Sequence, residues 1–170
     1  MTYFQKFAQL FDTFSGYVDR FCRIGLMVTA SLILLLLITQ VGMRYVLRSP
    51  LIWVEELAAY TLGFMVLWGA ASYIRTWQHI QVNTLFLMMP LAARTAAVIA
   101  INLLLLWFAY LLVVSGNTLA QLGANELSPS GTFVMFWPRQ GMTTGGILII
   151  IQATNNILRC LSGRPGEMVN

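Results

Sequence analysis

Charge is scarce in this chain: Asp, Glu, Lys and Arg make up only 9% of its 170 residues, against roughly 25% in soluble domains. With 58% of the sequence hydrophobic, a water-soluble fold would leave large apolar patches exposed. Histidine occurs once, at His79. That excludes a haem held between two histidines of this chain and any multi-histidine metal site. The two cysteines, Cys22 and Cys160, form no CxxC pair, so a thiol-redox enzyme is not indicated. A P-loop, a nucleotide fingerprint and a catalytic Ser or Cys motif are all missing. The ten Lys and Arg residues give a net charge of +4, but they stand singly and form no basic stripe of the kind that reads nucleic acid. No enzyme activity, cofactor or nucleic-acid partner is expected.

What the chain does have is long apolar runs. Residues 24–43 carry no charge over twenty positions, enough for a helix to cross a bilayer core. Three further stretches, 53–74, 95–115 and 138–158, have similar length. The expected architecture is all-α: an integral membrane protein with four transmembrane helices plus interfacial amphipathic helices. Residues 24–158 would form the four-span domain and 159–170 a cytoplasmic tail.

Residues 1–23 read as an amphipathic helix lying on the membrane. Phe4, Phe7, Phe11, Phe14, Val18 and Phe21 recur at steps of three and four, which places them on one face. Lys6, Gln9, Asp12, Thr13, Arg20 and Arg23 fill much of the remainder, a division that suits the headgroup boundary. The first apolar run starts late, is too long for a signal-peptide core and lacks a small-x-small cleavage site, so an uncleaved anchor is expected.

The spans differ in polarity. The second carries Gly63, Gly69, Ala70, Ala71 and Ser72, small residues that let helices approach closely in lipid. The third has Asn102 as its one strongly polar interior residue, suited to a helix-to-helix hydrogen bond. The fourth is the most polar, with Arg139, Gln140, Thr143, Thr144, Gln152, Asn155 and Asn156, and its Gly141 and Gly145 have GxxxG spacing. Lipid does not reward those groups, so this helix should face protein on at least one side. Residues 75–90 read as an interfacial link containing His79, taken as a hydrogen-bonded anchor, and 116–138 as a partly water-exposed loop.

The Lys/Arg distribution sets an orientation. Lys6, Arg20, Arg23, Arg75, Arg94, Arg159 and Arg164 fall on the side of both termini; Arg44, Arg48 and Arg139 fall on the other. Both termini should be cytoplasmic. Glu55 and Glu56 then lie at the outer edge of the second span, where acidic residues suit a helix N-terminus. Adjacent helical positions differ by about 100°, so the two carboxylates cannot serve one site. Pairing of one of them with Arg44, Arg48 or Arg139 is the expectation.

One segment resembles a known family. Arg44-Tyr45, a turn with Pro50, then Trp53-Val54-Glu55-Glu56-Leu57 is similar to the signature of the small membrane (Q) subunit of tripartite ATP-independent periplasmic (TRAP) transporters. The pattern continues into Gly69-Ala70-Ala71 and His79-Ile80-Gln81-Val82, so that the motifs cover about residues 42–83. The family often has an acidic residue after the last element, where this chain has Asn83. The resemblance implies a bacterial inner-membrane subunit that binds a large multi-span transport subunit. A soluble periplasmic binding protein would deliver an organic acid, with the substrate site and sodium coupling mainly in the large subunit. In that setting Trp53, Glu55 and Glu56 are expected to stabilise the outer edge of the interface with the large subunit or the local fold, and Arg44, Arg48 or Arg139 to help receive the binding protein. Gly69, His79, Gly141 and Gly145 are the remaining candidates for structural or interface roles. A stand-alone homo-oligomeric four-span transporter is the competing class. It would want a carboxylate in mid-span, and the middle of each of the four runs holds none.

Overall fold

The computed structural model describes residues 3–49, 51–76 and 90–162. Pro50, the 77–89 stretch with His79, and residues 163–170 with Arg164 lie outside the described residues. Four α-helices account for most of the rest: α1 (Tyr3–Tyr45), α2 (Ile52–Thr76), α3 (Leu91–Leu122) and α4 (Phe136–Leu161). A 3₁₀ turn, Gly123–Asn125, follows α3. Among the described residues the β structure is limited to one isolated bridge, Leu127 with Val134. α1, α2 and α3 are each long and apolar enough to cross a membrane. α4 has the length, 26 residues, with more polar content.

α1 runs unbroken for 43 residues, about 65 Å at 1.5 Å per residue. No break separates the amphipathic start from the apolar run at residues 23–24. No proline interrupts it, and its threonines return their hydroxyls to the helix: Thr13 to Gln9 O (3.0 Å), Thr29 to Gly25 O (2.8 Å) and Thr39 to Leu35 O (2.8 Å). Thr61, Thr118 and Thr144 do the same in α2, α3 and α4. This back-bonding gives these threonine hydroxyls a partner within their own helix where water is absent. The helix ends where Arg48 adopts a left-handed conformation (φ 52°), which costs a non-glycine residue about 1–2 kcal/mol. That turn brings Ser49 N–H to Met43 O at 3.1 Å.

α3 and α4 extend further than the apolar runs suggest. α3 reaches Leu122 and α4 begins at Phe136, so the expected 116–138 loop contracts to the turn and a short hairpin. In that hairpin Ser128 N–H bonds Phe133 O (2.8 Å) and Met135 N–H bonds Glu126 O (2.9 Å). Gly131 turns its tip with φ 71°, a conformation that favours glycine.

The helices pack in the spatial order α1, α2, α4, α3, with α4 also touching α1. The most polar helix is therefore the hub. Its two faces are carved by adjacent glycines. A Cβ on Gly145 would sit 2.5 Å from Leu67 Cβ of α2, and one on Gly146 would sit 2.8 Å from Val113 of α3. Gly116 of α3 likewise lies against Thr143, where a Cβ would meet its backbone N at 2.9 Å. Gly25 of α1 makes room for the Trp68 ring of α2, which an added Cβ would meet at 2.4 Å. Buried positions are mostly small or polar, such as Ala71, Ala109, Ala120 and Ala153, whereas Leu34, Leu35, Leu104 and Trp107 are exposed. This is the distribution of a bundle surrounded by lipid, where close backbone approach replaces a bulky core.

Asn102 departs from expectation. It is fully buried, but its Nδ2 donates to Val98 O of its own helix (2.8 Å). The amide folds back onto the preceding turn, so the sequence-based helix-to-helix bond is not formed.

Close packing makes a matched pair of substitutions informative. Gly145→Ala should destabilise the detergent-solubilised protein by about 1–3 kcal/mol through overpacking against Leu67. Gly63→Ala, with nothing within 4 Å of the added Cβ, should be neutral or stabilising by up to ~1 kcal/mol from helix propensity. Unfolding in a denaturing-detergent titration measures both.

Candidate functional site

Two layers of polar side chains cap the bundle, one at each end of the apolar region. On α2 they are marked by Glu55 and Arg75, and on α4 by Arg139 and Arg159. Each pair is separated by twenty residues, about 30 Å along a helix, which is the thickness of bilayer hydrocarbon.

The layer at Arg75 and Arg159, named inner because it lies at the N-terminal part of α1 and the C-terminal end of α4, joins α1, α2 and α4. Asp12 Oδ1 accepts from Asn155 Nδ2 (3.0 Å) and from Arg159 Nε (2.9 Å) and Nη2 (2.5 Å). Arg75 of α2 reaches the same oxygen at 3.3 Å, and its other terminal nitrogen donates to Ser15 Oγ at 2.5 Å. Ser15 in turn donates to Gln152 Oε1, while Gln152 Nε2 donates to Ser15 O (3.2 Å). Gly16 leaves space for the guanidinium, since a Cβ there would lie 3.2 Å from Arg75 Nη2. One turn along α1, Asp19 accepts from Ser72 Oγ (2.5 Å) and pairs with Arg23 (2.8 Å). Asn156 Nδ2 donates to Ile74 O (2.7 Å), a carbonyl in the last turn of α2.

Sequence reasoning missed this layer. It placed Asp12 on a polar face beside Lys6 and Arg20, whereas Asp12 bonds α2 and α4, and Ser15 and Asp19 are buried. The signal was present in the spacing. Gln152, Asn155, Asn156 and Arg159 stand at i, i+3, i+4 and i+7, one stripe of α4. Ala8, Ser15, Asp19 and Cys22 form the facing stripe of α1. The Phe-rich face points away from the bundle, with Phe7, Phe14 and Phe21 all more than half exposed.

The outer layer holds the sequence-predicted residues. Glu55 accepts from Gln40 Nε2 of α1 (2.9 Å), and Gln40 Oε1 accepts from Leu51 N–H (3.2 Å). Glu56 turns elsewhere and accepts from Ser130 N–H and Ser130 Oγ, both at 2.7 Å, at the hairpin tip. The predicted ion pair between these glutamates and Arg44, Arg48 or Arg139 is not formed. Arg139 instead pairs with Glu126 (2.6 Å) and donates to Leu119 O (3.0 Å). The reason is local: Gly123 lets the guanidinium lie across the end of α3, where a Cβ would meet Nη1 at 2.8 Å. Arg44 and Arg48 are exposed and make no ion pair among the described residues. Trp53 is partly exposed on the first turn of α2. Of the predicted glycines, Gly145 packs tightest; a Cβ on Gly141 would meet Phe64 at 3.4 Å, and one on Gly69 would meet Leu26 at an ordinary 3.5 Å.

Chemically, both layers are clamps. The aspartates and glutamates of the described segments each hold a hydrogen bond or an ion pair. No group of three or more His, Cys, Asp or Glu among the described residues could hold a metal ion.

Asp12→Ala should strand Arg75, Arg159 and Asn155 without their shared acceptor. Loss of hydrogen bonds to a charged group, discounted for their partial exposure, gives about 1–3 kcal/mol in the same detergent titration. Exchanging the pair as Asp12→Arg with Arg159→Asp should recover part of it. At the outer layer, Glu56→Ala should release the hairpin and make the 126–135 segment cleavable in limited proteolysis, whereas Glu55→Ala should leave it protected.

Comparison of the sequence with known proteins points to one family. Residues 33–163 match the family described as Tripartite ATP-independent periplasmic transporters, DctQ component. That stretch runs from mid-α1 to just beyond α4. The chain is also 27% identical over 130 residues to the sialic acid TRAP transporter small permease protein SiaQ of Vibrio cholerae, covering 76% of this chain and 75% of the relative. With its family match spanning most of the sequence, the chain belongs to the DctQ family of TRAP transporter components, proteins of the bacterial inner membrane.

Proposed function

We propose that this chain is the small, non-catalytic membrane subunit of a TRAP transporter, a fixed scaffold that holds a large multi-span transport subunit in the bilayer. The family match over residues 33–163 carries this reading. The geometry supports it. The charged side chains gather in the two end layers, and the helix segments between them are uncharged. A carrier would want an ionisable group lining a path at mid-depth. The clamped ends hold α1, α2 and α4 in one arrangement, as a scaffold requires.

In this reading α4 is the fourth transmembrane helix. The twenty residues from Arg139 to Arg159 match the hydrocarbon thickness, and its polar stripe is covered by α1 and α2. The inner layer and both termini face the cytoplasm, following the Lys/Arg bias. The first 23 residues of α1 sit at the cytoplasmic membrane edge. Glu55, Glu56, Trp53 and the hairpin face outward and support the rim of the interface with the large subunit. Arg44 and Arg48 are exposed on the same side, placed to meet a periplasmic binding protein. The substrate is an organic acid, the class to which the relative's sialic acid belongs, and a sodium gradient drives uptake through the large subunit.

A pull-down from the native membrane in mild detergent tests the scaffold role. A large multi-span protein should be recovered in about one-to-one ratio; recovery of this chain alone or as a homo-oligomer would overturn it. In proteoliposomes containing the recovered complex, Arg44→Glu with Arg48→Glu should slow binding-protein-dependent uptake most at low salt, because steering between exposed charges is screened as salt rises. An unchanged low-salt rate would remove these arginines from docking.

A further inference from the structure

The first six turns of α1 divide into three sectors at 3.6 residues per turn. One is buried against the bundle and contains Ala8, Ser15, Asp19 and Cys22. A second is aromatic and outward-facing: Phe7, Phe14, Tyr17 and Phe21 are 54–67% exposed. Phe7, Leu10, Phe11, Phe14 and Tyr17 also line a shallow apolar groove along it. The third, directly beside the aromatic sector, carries Lys6, Arg20 and Arg23, all exposed.

Of that basic sector, Arg23 alone meets an acidic residue among the described residues, Asp19. Asp12 is held by Arg75 and Arg159, and Asp19 by Ser72 and Arg23. Lys6 and Arg20 make no ion pair among the described residues. The surface is therefore net positive next to a continuous aromatic strip. Water is a poor partner for the strip, and bilayer hydrocarbon is a poor partner for the basic sector at the same depth. One surface satisfies both: an apolar boundary carrying phosphates. Most of this segment lies level with and beyond the inner polar layer, where headgroups lie if the layers mark the hydrocarbon edges, and Phe21 reaches deeper, against Trp68 of α2.

We propose that the outward face of α1 over residues 3–23 binds anionic phospholipid, with Phe7, Phe14, Tyr17 and Phe21 at the acyl boundary and Lys6, Arg20 and Arg23 on the phosphates. This rests on the membrane placement given above, and not on the transport role. The lipid anchors the overlong helix at its inner end, so that the clamp at Asp12 sits at fixed depth.

The test uses the complex with its large subunit in nanodiscs of phosphatidylcholine, with or without a minority of phosphatidylglycerol. Thermal midpoint and lipid retained after delipidation are measured, and large-subunit content is scored in each sample. Phosphatidylglycerol should raise the midpoint and be retained preferentially. Lys6→Gln with Arg20→Gln should weaken that retention by about 25-fold, about five-fold per charge, and Lys6→Arg with Arg20→Lys should preserve it. Equal behaviour in the two lipids, or full retention by the neutralised variant, would overturn the proposal. An equal rise from inorganic phosphate alone would overturn it in favour of a free-anion site. Dependence seen for the isolated chain but lost in the complex would overturn it in favour of a face covered by the large subunit. Loss of the large subunit with lipid dependence intact would count against the scaffold reading alone.

Discussion

A polar side chain in hydrocarbon has no water to turn to, so it must find a protein partner or remain unsatisfied at a cost of several kcal/mol. α4 carries more such groups than any other helix here, and its position follows from that burden. Gln152 and Asn156 are fully buried because α1 and α2 cover them. The spatial order α1, α2, α4, α3 flanks the most polar helix with protein, although Thr143 Oγ1, Asn155 Oδ1 and Asn156 Oδ1 stay buried without a hydrogen-bond partner among the described residues. α1 and α3 expose long apolar faces and take the outer positions. The glycines of α4 serve the same end, because hydrogen bonds between helices require the backbones to come close.

The two end layers differ in how they hold. The inner layer converges on one carboxylate oxygen of Asp12, with donors from α2 and α4. Three helices are tied at a single point by charge-assisted bonds, which are stronger than neutral ones. The outer layer is distributed. Glu55 ties α2 to α1, Glu56 ties α2 to the hairpin, and Arg139 ties α4 to the end of α3. The inner end is thus tied at one point, while the outer end is held by separate pairwise contacts. Membership of the DctQ family gives this asymmetry a setting, a transporter whose parts must stay in register.

Much of this was legible in the residues. Uncharged runs of twenty or more, the Trp-x-Glu-Glu element and the Phe spacing near the start each have a direct physical meaning. The divergence of Glu55 and Glu56 follows from helical geometry alone. The errors share one origin. Sequence lists donors and acceptors but does not say which helices are neighbours. Arg139 was available to Glu55, Glu56 and Glu126 on paper, and only the fold of the hairpin brought Glu126 within 2.6 Å. Asp12 looked like a surface residue because its partners Asn155 and Arg159 lie more than 140 positions away.

By itself the sequence determined that the chain is helical, that it belongs in a membrane and where its uncharged segments begin and end. Those properties depend on local composition and periodicity, which need no knowledge of contacts. Tertiary structure decided which face of each helix turns inward, and therefore which polar groups became clamps. In a lipid setting that choice is made by pairwise satisfaction of buried polar atoms across helices, a property of the assembled bundle that no single segment contains.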